Sequence, residues 1–107
     1  MVQVQNIFKD TPEVLKTELF EKLLETENFF VEKIVSAGHK SPENFWFDQE
    51  TNEFVILLDG SAKIEFESGE YVQLGPGDYF VIPSHLKHRI LQTDNNKKTY
   101  WLTIHFS

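Results

Sequence analysis

From Phe29 onward the apolar residues arrive in short runs, and a turn signal cuts off each run. Phe29–Ser36 gives way to the polar loop Gly38–Asn44, and Glu53–Leu58 runs into Asp59-Gly60. Ala62, Ile64 and Phe66 alternate with Lys63, Glu65 and Glu67 until Ser68-Gly69. Tyr71–Leu74 meets Gly75-Pro76-Gly77-Asp78, Tyr79–Ile82 is stopped by Pro83, His88–Thr93 meets Asp94-Asn95-Asn96, and Thr99–Phe106 follows. Alternation with a period of two puts successive side chains on opposite faces of a strand, and Gly, Asn, Asp and Pro supply the backbone of tight turns. This punctuation predicts seven or eight short strands in an antiparallel sandwich or small barrel. The aromatic residues (Phe 10, Tyr 3, Trp 2) agree, since aromatic and β-branched side chains suit a pleated surface.

One stretch reads with a different period. Thr11 is placed as an N-cap and Pro12 as a first helical residue, and Leu15, Leu19 and Leu23, with Phe20, recur at helical spacing. The spacing predicts one amphipathic helix, or two short turns, over Thr11–Glu25, packed on the outside of the sheet. Met1 to Lys9 reads as an extended arm. Residues 1–28 are thus expected to be an arm and helix, and residues 29–107 a β-barrel. At 107 residues and 12.6 kDa the chain is long enough for one core and too short for two. Surface scaling gives roughly 6,200 Å² folded against about 18,000 Å² unfolded.

Charge and composition narrow the function. Lys and Arg number 10 against 17 Asp and Glu, a net charge of −7. Such a chain repels phosphate backbones and anionic lipid, so neither nucleic acid nor a membrane surface is an expected partner. With no Cys there is no disulfide scaffold, thiolate zinc site, iron–sulfur cluster or cysteine nucleophile. No apolar run approaches a membrane span and MVQVQNIFKD lacks a signal pattern, so a cytoplasmic protein is expected.

Two polar clusters stand beside apolar strands. Asp48, Gln49, Glu50 and Glu53 precede or begin the most apolar run, and His85 and His88 follow Pro83. Alternation places Glu53 with Val55 and Leu57, opposite Phe54, Ile56 and Leu58. Glu53 therefore points into a partly buried space, where a lone carboxylate needs a partner, a cation or a proton. An imidazole and a carboxylate at strand starts, facing one cavity, supply N and O donors for a divalent ion. A direct Glu–His hydrogen bond would satisfy both without metal.

The stretch Pro76-Gly77-Asp78-Tyr79-Phe80-Val81-Ile82-Pro83-Ser84-His85-Leu86-Lys87-His88 resembles the second cupin motif, with His85 in place of its glycine and Gln92 in place of its final asparagine. Glu53 to Gly60 resembles the end of the first cupin motif, whose His-x-His half is missing. With three intervening residues those histidine positions fall on Phe47 and Gln49; with four they fall on Trp46 and Asp48. The resemblance spans roughly Phe29 to Phe106 and implies an all-β double-stranded β-helix with a site in the barrel mouth. It implies a divalent metal there (Mn, Fe, Zn or Ni), held by Glu53 and His88 with Asp48 or Gln49 in place of the missing histidines.

The remaining candidates read more simply. His85 is a turn residue, His39 lies in a polar loop, and His105 points outward with Trp101 and Thr103 if Tyr100, Leu102, Ile104 and Phe106 face the core. Phe45, Trp46 and Phe47 suggest core or interface packing. The stripe Phe54, Ile56 and Leu58 would be an exposed apolar patch unless the N-terminal segment or a second subunit covers it, which favours a homodimer. Two functions follow. One is a metal-dependent enzyme acting on a small polar molecule; the other is a non-catalytic ligand-binding or sensing module.

Overall fold

The computed structural model describes residues 2–107. The described residues are all-β, with eight strands: β1 Leu19–Glu25, β2 Phe29–Ser36, β3 Asn52–Asp59, β4 Ala62–Phe66, β5 Tyr71–Leu74, β6 Tyr79–Ile82, β7 His88–Thr93 and β8 Thr99–Phe106. They form two antiparallel sheets, ordered β1-β2-β8-β3-β6 and β5-β4-β7. The strands from β2 onward lie where alternation and turn residues put them, because both signals are local. At the β3–β4 turn Gly60 adopts φ +90°, and a Cβ there would stand 2.7 Å from the Thr99 Cα, so the turn requires glycine.

The expected helix over Thr11–Glu25 does not form; among the described residues there is no helix. Leu19–Glu25 is instead an edge strand, paired with β2 from Leu19↔Val35 to Glu25↔Phe30, with a register shift between Lys22 and Leu24. Helical spacing of a few leucines cannot outweigh the unpaired backbone edge that β2 offers, and a bulge absorbs the mismatch in period. The turn into β2 is built on Thr26, whose backbone N–H donates to the Phe29 carbonyl at 2.8 Å and whose hydroxyl accepts from the Phe29 N–H at 3.2 Å. Thr11 caps no helix; its hydroxyl accepts from the Tyr100 hydroxyl at 3.1 Å. The arm before β1 lies over the outer side of β2 and β8, where Phe8 meets the Tyr100 ring edge-on and the Lys9 carbonyl accepts from Lys33 Nζ at 3.4 Å. Met1 lies outside the described residues. No helix of the described residues is long and apolar enough to cross a membrane.

The core lies between the sheets. Val55, Leu57 and Trp101 from the larger sheet meet Ala62, Ile64 and Leu74 from the smaller, with Ile82 beside them. Leu57 is fully buried, and truncating such a side chain costs roughly 2–5 kcal/mol. Strand register then decides what else points inward. In the β3–β8 pair Leu57 lies opposite Trp101, Val55 opposite Thr103 and Glu53 opposite His105. Directly paired residues share a face, so the inner face changes from apolar to polar along its length.

Candidate functional site

That polar end forms the wall of an open cavity of about 70 Å³, bounded by both sheets and the loop before β3. Glu53 stands at its centre. Its residue is only 7% exposed, and its Oε1 is buried without any hydrogen-bond partner. His88 Nε2 lies 3.8 Å from Oε1, and His105 Nε2 lies 3.7 Å from Oε2 and 3.9 Å from Glu32 Oε1. These separations are too long for hydrogen bonds, whose heavy atoms come within about 3.2 Å. The direct Glu53–His88 hydrogen bond that would satisfy both groups is therefore not made.

Both imidazoles are held from behind. His88 Nδ1 is 2.8 Å from the Leu86 carbonyl, which can only accept, so the proton sits on Nδ1 and the Nε2 lone pair faces Glu53. The Phe47 ring stacks beside His88, and Phe47 and His88 exchange backbone hydrogen bonds of 2.7 and 3.1 Å. His105 lies flat on Phe30, with ring centroids 4.3 Å apart, and its Nδ1 meets the Thr51 hydroxyl at 3.2 Å. Burial disfavours the charged form of every one of these groups. It raises the Glu53 carboxyl to about 7, with the neighbouring Glu32 adding to the rise. Burial also raises Glu32, against the opposing pull of Lys22. It lowers His88, partly offset by the bond to Leu86, and lowers His105, with His88 and Lys22 contributing.

Of the sequence candidates, Gln49, Glu53 and His88 share the cavity wall. Asp48 does not join them. Its carboxylate turns to the rim and meets His85 Nδ1 at 2.8 Å, with both side chains substantially exposed. Phe47 and Gln49 line the cavity while Trp46 lies under the Arg89 guanidinium, 4.4 Å away. The missing histidine positions therefore correspond to Phe47 and Gln49. His85 keeps the left-handed backbone (φ +63°) of the glycine it replaces. His39 accepts from the Ala37 N–H at 2.9 Å, in its own loop.

His105 corrects the sequence reading. It was expected to face outward with Trp101 and Thr103, yet all three face inward, and His105 is only 6% exposed. The error lay in assigning the more apolar face of β8 to the core. Its opposition to Glu53 across an antiparallel pair was the signal that could have found it. Glu32, inward on β2, and Glu18, just before β1, also line the cavity and were not singled out.

The donors suit a divalent ion chemically, with imidazole nitrogens beside a buried carboxylate oxygen that nothing else satisfies. Two donors each about 2.1 Å from one ion lie no more than about 4.2 Å apart, a limit the Glu53–imidazole separations meet. Among the described residues, no three His, Asp or Glu side chains are already gathered as a formed metal cage.

A family model described as the cupin domain matches residues 31–105. Among solved structures, a candidate mannose-6-phosphate isomerase from Ralstonia eutropha superposes with a TM-score of 0.94 at 36% identity, covering 99% of both chains. A cupin superfamily protein from Desulfitobacterium hafniense gives 0.74 at 18% identity over 90% of this chain and 83% of that one. A polyketide cyclase from Streptomyces resistomycificus gives 0.76 at 18% identity over 99% and 80%. The last two establish the fold alone. A search of curated proteins returned no match.

Proposed function

The chain belongs to the cupin domain family, and we propose that its barrel binds a small molecule at a divalent metal ion held by Glu53 and His88, with His105 and Gln49 completing the donor set. The observation that carries this reading is the buried Glu53 carboxylate: its orphaned Oε1 is approached by His88 Nε2 at 3.8 Å and its Oε2 by His105 Nε2 at 3.7 Å, neither within bonding distance. An unsatisfied buried carboxylate oxygen is costly, and a cation is the group that would satisfy it. Bound there, an ion supplies Lewis acidity toward a substrate oxygen. The chain's own residues supply the rest. Phe47 and Ile82 restrict water on the apolar side of the cavity.

The test is elemental analysis of protein purified without a metal-affinity tag. We expect close to one ion per chain, lost in Glu53→Ala and His88→Ala and retained in His85→Ala. Sub-stoichiometric metal that none of these variants changes would defeat the reading. A second reading, a non-catalytic binding module without metal, is favoured by Phe47 and Gln49 standing where two histidine donors are missing.

The outer face of the larger sheet supports a homodimer. Tyr79 and Val81 are exposed on edge strand β6, beside the half-buried Phe54 and Ile56. We expect a solution mass of twice 12.6 kDa by light scattering. We also expect Ile104→Lys to halve it, whereas a monomeric wild type would remove the proposal.

A further inference from the structure

The charge of the cavity wall is one-sided. Glu18, Glu32 and Glu53 line it, and no lysine or arginine does. Lys22, the partner of Glu32 across β1–β2, acts electrostatically on Glu32 and His105, but its ammonium is engaged 2.9 Å from Glu25 and 4.6 Å from the centre of the Phe30 ring and does not line the cavity. Glu18 is held in place deliberately. Its Oε2 accepts from Ser36 Oγ at 2.5 Å, and Ser36 Oγ in turn accepts from Trp101 Nε1 at 3.2 Å. Ser36 is fully buried and Trp101 nearly so. Independently of Glu18, the nine-tenths buried Glu53 aims an unpartnered oxygen into the same space. Phe20, Phe47 and Trp101 supply aromatic wall between the carboxylates.

We propose that the organic ligand of this cavity is cationic, a small alkylammonium compound whose charged head is taken by Glu18 and Glu32 among aromatic side chains. Carboxylates together with aromatic rings are the combination that binds substituted ammonium groups. A phosphorylated sugar meets the opposite field, with three carboxylates and, among the described residues, no lysine or arginine on the wall to receive its phosphate. The inference rests on reading the cavity as a ligand site, and it separates this chain from the substrate in the description of its Ralstonia eutropha relative.

Calorimetric titration of the full chain, stripped of metal by chelation, tests it with choline, ethylammonium and mannose 6-phosphate as probes. We expect at least one ammonium probe to bind about tenfold or more tightly than the phosphate ester, with affinity that falls as salt is added. Glu18→Gln is expected to weaken that binding by about tenfold, the scale of one charge-assisted contact, and Glu18→Asp by less. Glu32→Gln carries the same test if Glu18→Gln fails to fold. Absence of binding by both ammonium probes would overturn the proposal, as would equal binding of mannose 6-phosphate or an unchanged affinity in both carboxamide variants. Zn²⁺ titration of the same samples keeps the two readings apart. Zn²⁺ bound without any ammonium binding overturns this inference alone, and ammonium binding without Zn²⁺ overturns the metal reading alone.

Discussion

The two faces of the five-stranded sheet invert the usual distribution of polarity. The outer face carries Phe54, Ile56, Leu102, Ile104 and Phe106, half-buried and apolar. The inner face carries Trp101 and Leu57 at one end and Thr103, His105 and Glu53 at the other. A sheet with one wet face is expected to turn its polar side outward. Here the most strongly ionisable groups are enclosed and much of the apolar surface is outside. The inversion is what the proposed ligand site at the inner polar end and the proposed dimer contact on the outer face would each require.

The comparison breaks most visibly at its apolar inner end. Leu57→Ala should cost about 3 kcal/mol in denaturant unfolding, because a fully buried leucine leaves a cavity. Phe54→Ala on the other face of the same strand should cost less than half of that in the monomeric Ile104→Lys background. Equal losses would mean that the outer face is as much a core as the inner one.

The polar inner end should reveal itself through pH. Folding raises the Glu53 carboxyl from 4.5 to about 7, so the native state holds a proton that the unfolded chain has released across that window. Its contribution therefore declines as pH rises from 4.5 to 7. His88 and His105 act in the opposite direction. Their folded values are lowered from 6.5, so stability falls as pH drops below 6.5 and the unfolded imidazoles take up protons. Relative to the metal-free wild type, Glu53→Gln should gain stability with rising pH and be ahead by up to about 3 kcal/mol at pH 8. Chemical denaturation at several pH values checks this, and a constant offset would refute it. The smallest effect is expected at the rim. His85→Gly relieves a left-handed backbone and forfeits an exposed hydrogen bond to Asp48, and the two should leave stability within about 0.5 kcal/mol of wild type.

What could be read from the chain alone was whatever its local chemistry decides. β2 through β8 follow from alternation and from turn residues such as Asp59-Gly60, and Glu53 and His88 stand out as candidates because each breaks an apolar pattern at a strand start. β1 was misread because Leu15, Leu19 and Leu23 mimic a helical face, and only the free edge of β2, a tertiary feature, makes Leu19–Glu25 a strand. His105 escapes the pattern because the more apolar face of β8 is the outer one, so hydrophobicity does not mark the inside of this barrel. The choice between Asp48 and Gln49 rests on the turn of one loop residue, which no pattern encodes; the structure puts Gln49 on the wall and Asp48 on the rim.

The four histidines offer the most direct test, two inside and two outside. ¹⁵N-detected NMR of the imidazoles during Zn²⁺ titration at pH 7.5 should move the Nε2 resonances of His88 and His105 and leave those of His39 and His85 in place. Equal shifts at all four, or movement only at His39 and His85, would contradict an enclosed cation site centred on Glu53.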